Sequence, residues 1–154
     1  MVVEARFTPG GALPELPHFG MQIAVPAAQG TMTWLGRGPH ENYWDRHSGA
    51  PVGRYSGRVD QPIHDYVRPQ ENGNRTDVCW IALTDADGAG GRDTITLNLD
   101  DRQTGVGGDD GCGARPHAGY NLDRKPYAYR FRLRAYAPAM GPLDDLARRP
   151  LPKP

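Results

Sequence analysis

Apolar and polar residues alternate with a period of two along several short stretches, and this spacing predicts β-strands. Tyr127, Tyr129, Phe131, Leu133 and Ala135 fall on one face of such a stretch, with Arg130, Arg132 and Arg134 on the other. Phe19, Met21, Ile23 and Val25 alternate likewise until Pro26, which lacks the N–H that a ladder needs. Ile95, Leu97 and Leu99 alternate with Thr94, Thr96 and Asn98. Residues 77–83 (DVCWIAL) are apolar on both faces, which predicts a central strand covered from both sides. Weaker alternation over 2–7 and 31–35 adds two more strands. Turn-forming clusters separate them at 8–12, 36–39 and 85–91. A single helix is predicted over 142–149 (PLDDLARR), where Pro opens the segment and acids precede bases, as a helix dipole favours. Since no βαβ rhythm is present, the expected fold class is all-β, an antiparallel β-sandwich. One domain is expected over 1–149, with a flexible tail at 150–154. A sandwich of such short strands would carry open edges that need a partner.

Composition narrows the function without choosing it. The 154 residues carry 18 Lys+Arg against 18 Asp+Glu, so nothing in the charge balance favours nucleic acid or an anionic membrane as partner. No apolar run approaches the roughly 18 residues that a membrane span requires, and Met1 is not followed by a basic-then-apolar leader. A soluble cytoplasmic bacterial protein is the expectation. Cys79 and Cys112 make no disulfide framework and are expected as reduced thiols.

Candidate chemistry gathers in polar loops. In GVGGDDGCGARP (105–116), a phosphate cradle would need a following Lys-Ser/Thr and a helix, and Asp109 and Asp110 would repel the phosphate. With Asp85, Asp87 and Asp93 these acids supply hard oxygen ligands, but a distal bidentate Glu is missing. No cofactor is therefore expected, with calcium or magnesium as the alternative. Sugar sites combine carboxylates and amides with flat aromatic rings, and the segments 38–46 (GPHENYWDR) and 69–75 (PQENGNR) are dense in both. The bland alternative is that Asn42, Asp45 and Asn72 bond turn backbone and that Trp34, Trp44 and Trp80 are core. Hydrolysis would need two carboxylates flanking the scissile bond, drawn from Glu41, Glu71, Asp109 and Asp110.

These same residues carry a resemblance. The run Trp34-Leu-Gly-Arg-Gly-Pro-His-Glu-Asn-Tyr-Trp-Asp-Arg46 resembles the W-x-G-x-G-P-x-E-x-Y-x-D-R signature of the C-terminal β domain, the small-chain domain, of family-two β-galactosidases. Tyr66-Val-Arg-Pro-Gln-Glu-Asn-Gly-Asn-Arg75 is similar to its Y-V-x-P-Q-E-x-G-x-R segment, and Thr104-Gly-Val-Gly-Gly-Asp-Asp110 to its G-x-G-G-D-D loop. Order and spacing agree over most of the chain. The resemblance implies a β-supersandwich like that of galactose mutarotase, and a domain that packs on a separate catalytic barrel and shapes the mouth of a galactoside site. The barrel carries the catalytic glutamates, so those roles pass to no residue of this chain. Three departures stand out: Cys112 replaces the indole that usually follows the G-G-D-D loop, the first half of the domain is missing, and a segment after Gly91 is shortened.

Three readings follow from this. The first is a β-galactosidase-like protein that recognises β-galactosides. Its substrate-binding candidates are His40, Glu41, Trp44, Asn72 and Cys112, and whether it also hydrolyses through Glu71 as acid and Asp109 or Asp110 as base or nucleophile is left open. The second is a non-catalytic subunit completing a separate catalytic chain. The third is a carbohydrate-binding module or structural remnant. A homodimer is expected, since self-association would cover the face exposed by missing strands.

Overall fold

The computed structural model describes residues 1–11, 14–61, 64–67, 70–85, 94–107 and 115–151. In chain order the strands are β1 (Val2–Phe7), β2 (His18–Pro26), β3 (Thr31–Arg37), β4 (Val52–Arg58), β5 (Trp80–Thr84), β6 (Thr94–Gln103) and β7 (Tyr127–Arg132), followed by one short helix, α1 (Leu143–Ala147). Every strand pairing is antiparallel: β1 with β7, β2 with β6, and β3 between β4 and β5. The chain is an all-β antiparallel sandwich with almost no helix, as the alternating pattern predicts.

The β1–β7 and β2–β6 pairs meet through an aromatic cluster. The Phe19 ring of β2 lies 5.8 Å from Phe7 and 5.6 Å from Tyr127, and packs edge-on to Tyr129 at 5.4 Å. The Tyr129 hydroxyl donates to the Leu99 carbonyl of β6 at 2.7 Å, so the ring crosses the layer and its polar tip is satisfied on the far side. On β7 the apolar face turns inward as predicted. Its arginine face is half-buried rather than fully solvated, with Arg130 3.9 Å from Glu4 on β1.

Two strand assignments change. The central strand of the three-stranded sheet is β3, read as weak from sequence, and residues 77–83 do not form it. Asp77 has a left-handed backbone (φ 53°), so the extended segment begins only at Trp80, and all five residues of β5 are half-buried. The apolar run therefore reflects two partly covered faces rather than a strand enclosed on both sides. The alternation also hid β4, where Gly53 and Gly57 stand at inward positions and only Tyr55 marks that face with a large ring. The helix is shorter than predicted. It buries Leu146 and is tied to β4 by Arg54 and Asp144 at 3.4 Å.

The buried apolar side chains are Trp34, Tyr43, Ala50, Leu122, Tyr127 and Leu146, and Asn42 is buried with them. Three of them, with Asn42, sit on β3 or in the connection that leaves it. Cys79 is exposed, and Cys112 lies outside the described residues. Among the described residues no helix is long and apolar enough to cross a membrane.

Candidate functional site

The site grows out of the end of β3. The Trp34 indole N–H donates to the Arg37 carbonyl at 3.0 Å. The Arg37 guanidinium reaches Asp77 at 2.6 Å and the Ala50 carbonyl at 2.9 Å, pinning both ends of the loop that follows. Inside that loop Asn42 is 1% exposed and acts as a clasp. Its amide N–H2 donates to the His40 carbonyl at 3.0 Å, and its Oδ1 accepts from the Thr76 backbone N–H at 2.8 Å and from the Thr76 hydroxyl. Its own backbone N–H donates to the Asn74 carbonyl at 2.9 Å, and the Asn74 side chain returns a bond to the Asn42 carbonyl at 2.8 Å. A side chain offering both donors and acceptors is what a buried crossing of two loops requires, because unpaired groups there would lose their water for nothing. The motif at 38–46 is thereby locked to the motif at 66–75.

Glu41, next in line, ties down the same partner loop. One carboxylate oxygen accepts from the Tyr66 hydroxyl. The other accepts from the Gly73 backbone N–H at 2.7 Å, with the Tyr43 hydroxyl at 3.5 Å. Gly73 has φ 79°, a conformation that glycine adopts without cost, and this is what aims its N–H at Glu41. Burial pushes the Tyr43 phenol well above its ordinary range, and the Glu41 charge pushes the same way, so Tyr43 stays neutral. A cavity of about 560 Å³ opens here, walled by Trp34, His40, Glu41, Arg46, His64, Tyr66 and Arg75 among others. The Arg75 guanidinium lies 5.2 Å over the Trp34 ring, and that of Arg46 lies 5.3 Å over Tyr43. Desolvation lowers the Arg75 pKa, and the nearby Glu41 charge opposes that shift.

The same loop also reaches the third motif. Asp45 Oδ2 accepts from the Gly107 N–H at 2.9 Å, and the Trp44 indole N–H donates to the Tyr120 carbonyl at 3.1 Å. Gly105 donates to that carbonyl at 2.8 Å, and a Cβ at Gly105 would lie 2.5 Å from Asp45 Oδ2, so this approach needs glycine. All three polar motifs thus meet within one hydrogen-bonded assembly.

Of the residues singled out from sequence, His40 and Glu41 line the cavity. Asn72 does not line it. Its side chain brackets the His64 backbone, accepting from the N–H at 2.9 Å and donating to the carbonyl, and so sets the segment whose ring does. Trp44 points to Tyr120 instead, packing edge-on at 5.2 Å. Glu71 is exposed, and its charge reaches Tyr43. Asp109, Asp110 and Cys112 lie outside the described residues, as do Asp87 and Asp93. Among the described residues no three His, Cys, Asp or Glu side chains converge as metal ligands. Sequence reasoning passed over the cavity's cations. Arg46 and Arg75 stood inside the quoted motifs, whereas Arg58 stood outside them, and only the pairing of β4 with β3 brings Arg58 to the wall.

The family model for the β-galactosidase small chain matches residues 1–133. The chain belongs to that family. A β-galactosidase from Priestia megaterium is 34% identical over 87% of this small-chain sequence, and one from Vibrio cholerae is 36% identical over 81%. The chain covers 16% and 15% of those two proteins, so it spans about a sixth of the curated relatives it matches.

Proposed function

We propose that this small-chain domain is the accessory β part of a β-galactosidase, contributing to recognition of β-galactosides while a separate catalytic chain or region supplies the acid/base and nucleophile. The observation that carries the reading is the state of Glu41. It is the one carboxylate on the described cavity wall, and Tyr66, Gly73 and Tyr43 occupy its oxygens. A carboxylate held by three donors serves as a structural acceptor, and a hydrolytic pair would need a second carboxylate facing it across the bond.

Turnover of o-nitrophenyl-β-galactoside tests this. The isolated chain is expected to give no hydrolysis, and Glu71→Gln to change nothing. Addition of a β-galactosidase lacking its own small-chain region is expected to restore activity. Hydrolysis by the purified chain, abolished in Glu71→Gln, would overturn the reading.

A further inference from the structure

The cavity bounded by the first two motifs carries more guanidinium groups than carboxylates. Arg46, Arg58 and Arg75 line it against the single carboxylate of Glu41. The whole chain is neutral, so this imbalance is local. Glu41 accepts from the neutral donors Tyr66 and Gly73 and keeps a charge that acts on Arg75, and Arg58 is paired with Asp60 at 3.1 Å. Two guanidiniums, Arg46 and Arg75, have no ion-pair partner among the described residues. Arg46 is exposed and makes no ion pair among the described residues, its cation resting on the Tyr43 ring. Arg75 spends one terminal nitrogen on the Gly73 and Asn74 carbonyls, and its Nε is buried without a hydrogen-bond partner. A guanidinium offers five N–H donors in a planar fork, the shape that matches phosphate or carboxylate oxygens. The volume of about 560 Å³ falls within the range of small-molecule sites.

We infer that this cavity is an oxyanion site, built by Arg46 and Arg75 on the Tyr43 and Trp34 rings, for a phosphate group that is either free or esterified to a sugar. The ring beneath each guanidinium holds its plane and leaves N–H edges for the anion. The inference needs neither hydrolysis nor a catalytic partner, so it stands apart from the accessory role proposed above.

Calorimetric titration of the chain with inorganic phosphate, galactose 6-phosphate and galactose at constant ionic strength tests it. Phosphate is expected to bind, and Arg46→Gln to weaken that binding about tenfold or more, the loss of one charged hydrogen-bonding partner. Arg46 is exposed, so this variant folds, which an unchanged melting temperature checks. Arg75→Lys keeps the charge but loses the fork, and is expected to weaken binding as well. Tighter binding of galactose 6-phosphate than of phosphate identifies a sugar-borne group, and equal binding identifies the free anion. Absence of phosphate binding, or binding that Arg46→Gln leaves unchanged, overturns the site. Galactose binding without phosphate binding overturns it too, while leaving the galactosidase reading intact.

Discussion

Two regions of the molecule solve the same problem differently. Around β3 and the loop that follows it, Trp34, Asn42 and Tyr43 are 3%, 1% and 2% exposed, and the Asn42 amide has protein partners for both its donor and its acceptor. In the β2–β6 pair the ladder is longer, and apolar residues face each other in register, Met21 with Leu99, Ile23 with Leu97 and Val25 with Ile95. Yet no position on either strand is fully buried. A paired ladder satisfies the backbone but does not take side chains out of water; only a second layer does that. The polar clasp therefore closes more tightly than the β2–β6 pair, which the β1–β7 aromatics cover at one end and leave half-buried elsewhere.

The largest expected effect is at the clasp. Asn42→Ala strands the Thr76 N–H and the His40 carbonyl in a buried crossing, and the expected loss is about 3 kcal/mol of unfolding free energy in a urea titration. Gly105→Ala should cost about 2 kcal/mol by driving a methyl against Asp45 and prising the third motif from the loop. Leu97→Ala, on the β2–β6 pair, should cost only about 1 kcal/mol, because that side chain is half-buried rather than enclosed. A Leu97→Ala loss equal to that of Asn42→Ala would erase the contrast between the two regions. Hydrogen exchange sharpens it: β2 and β6 amides should exchange faster than those of β3, and should slow on adding a catalytic partner chain.

The smallest effect is the response to pH. The Tyr43 phenol sits above its ordinary value of 10.0 in the folded chain, through burial and the Glu41 charge. Folding therefore favours the neutral phenol. Its contribution is complete below about pH 10 and falls away as pH rises beyond the unfolded value. Burial and the charge of Asp100 raise Tyr129 as well, adding to the same trend. Stability measured from pH 8 upward should decline above about pH 10, and Tyr43→Phe should flatten that decline.

Strands with a clear period of two, such as β2 and β7, were legible because each inward position carries a large apolar side chain. β4 was not, since glycine at 53 and 57 gives alternation no signal. The apolar run at 77–83 misled for a related reason: apolarity on both faces reports what touches a strand, not whether a neighbouring strand pairs on each side. At the site, the density of polar residues in three motifs marked the right loops. It did not distinguish Glu41, which lines the cavity, from Asn42, which never reaches it, because adjacent residues carry similar chemistry.

By itself the amino-acid order determined the all-β class, the turn positions and the small-chain kinship, all of which rest on local periodicity or on contiguous motifs. Only the tertiary structure decided that β3 is central, that Glu41 is consumed as an acceptor by Tyr66 and Gly73, and that Arg46, Arg58 and Arg75 share one cavity wall. These depend on pairings between residues far apart in the chain, and a hydrogen bond or a charge balance is set by which groups meet, not by which groups are present.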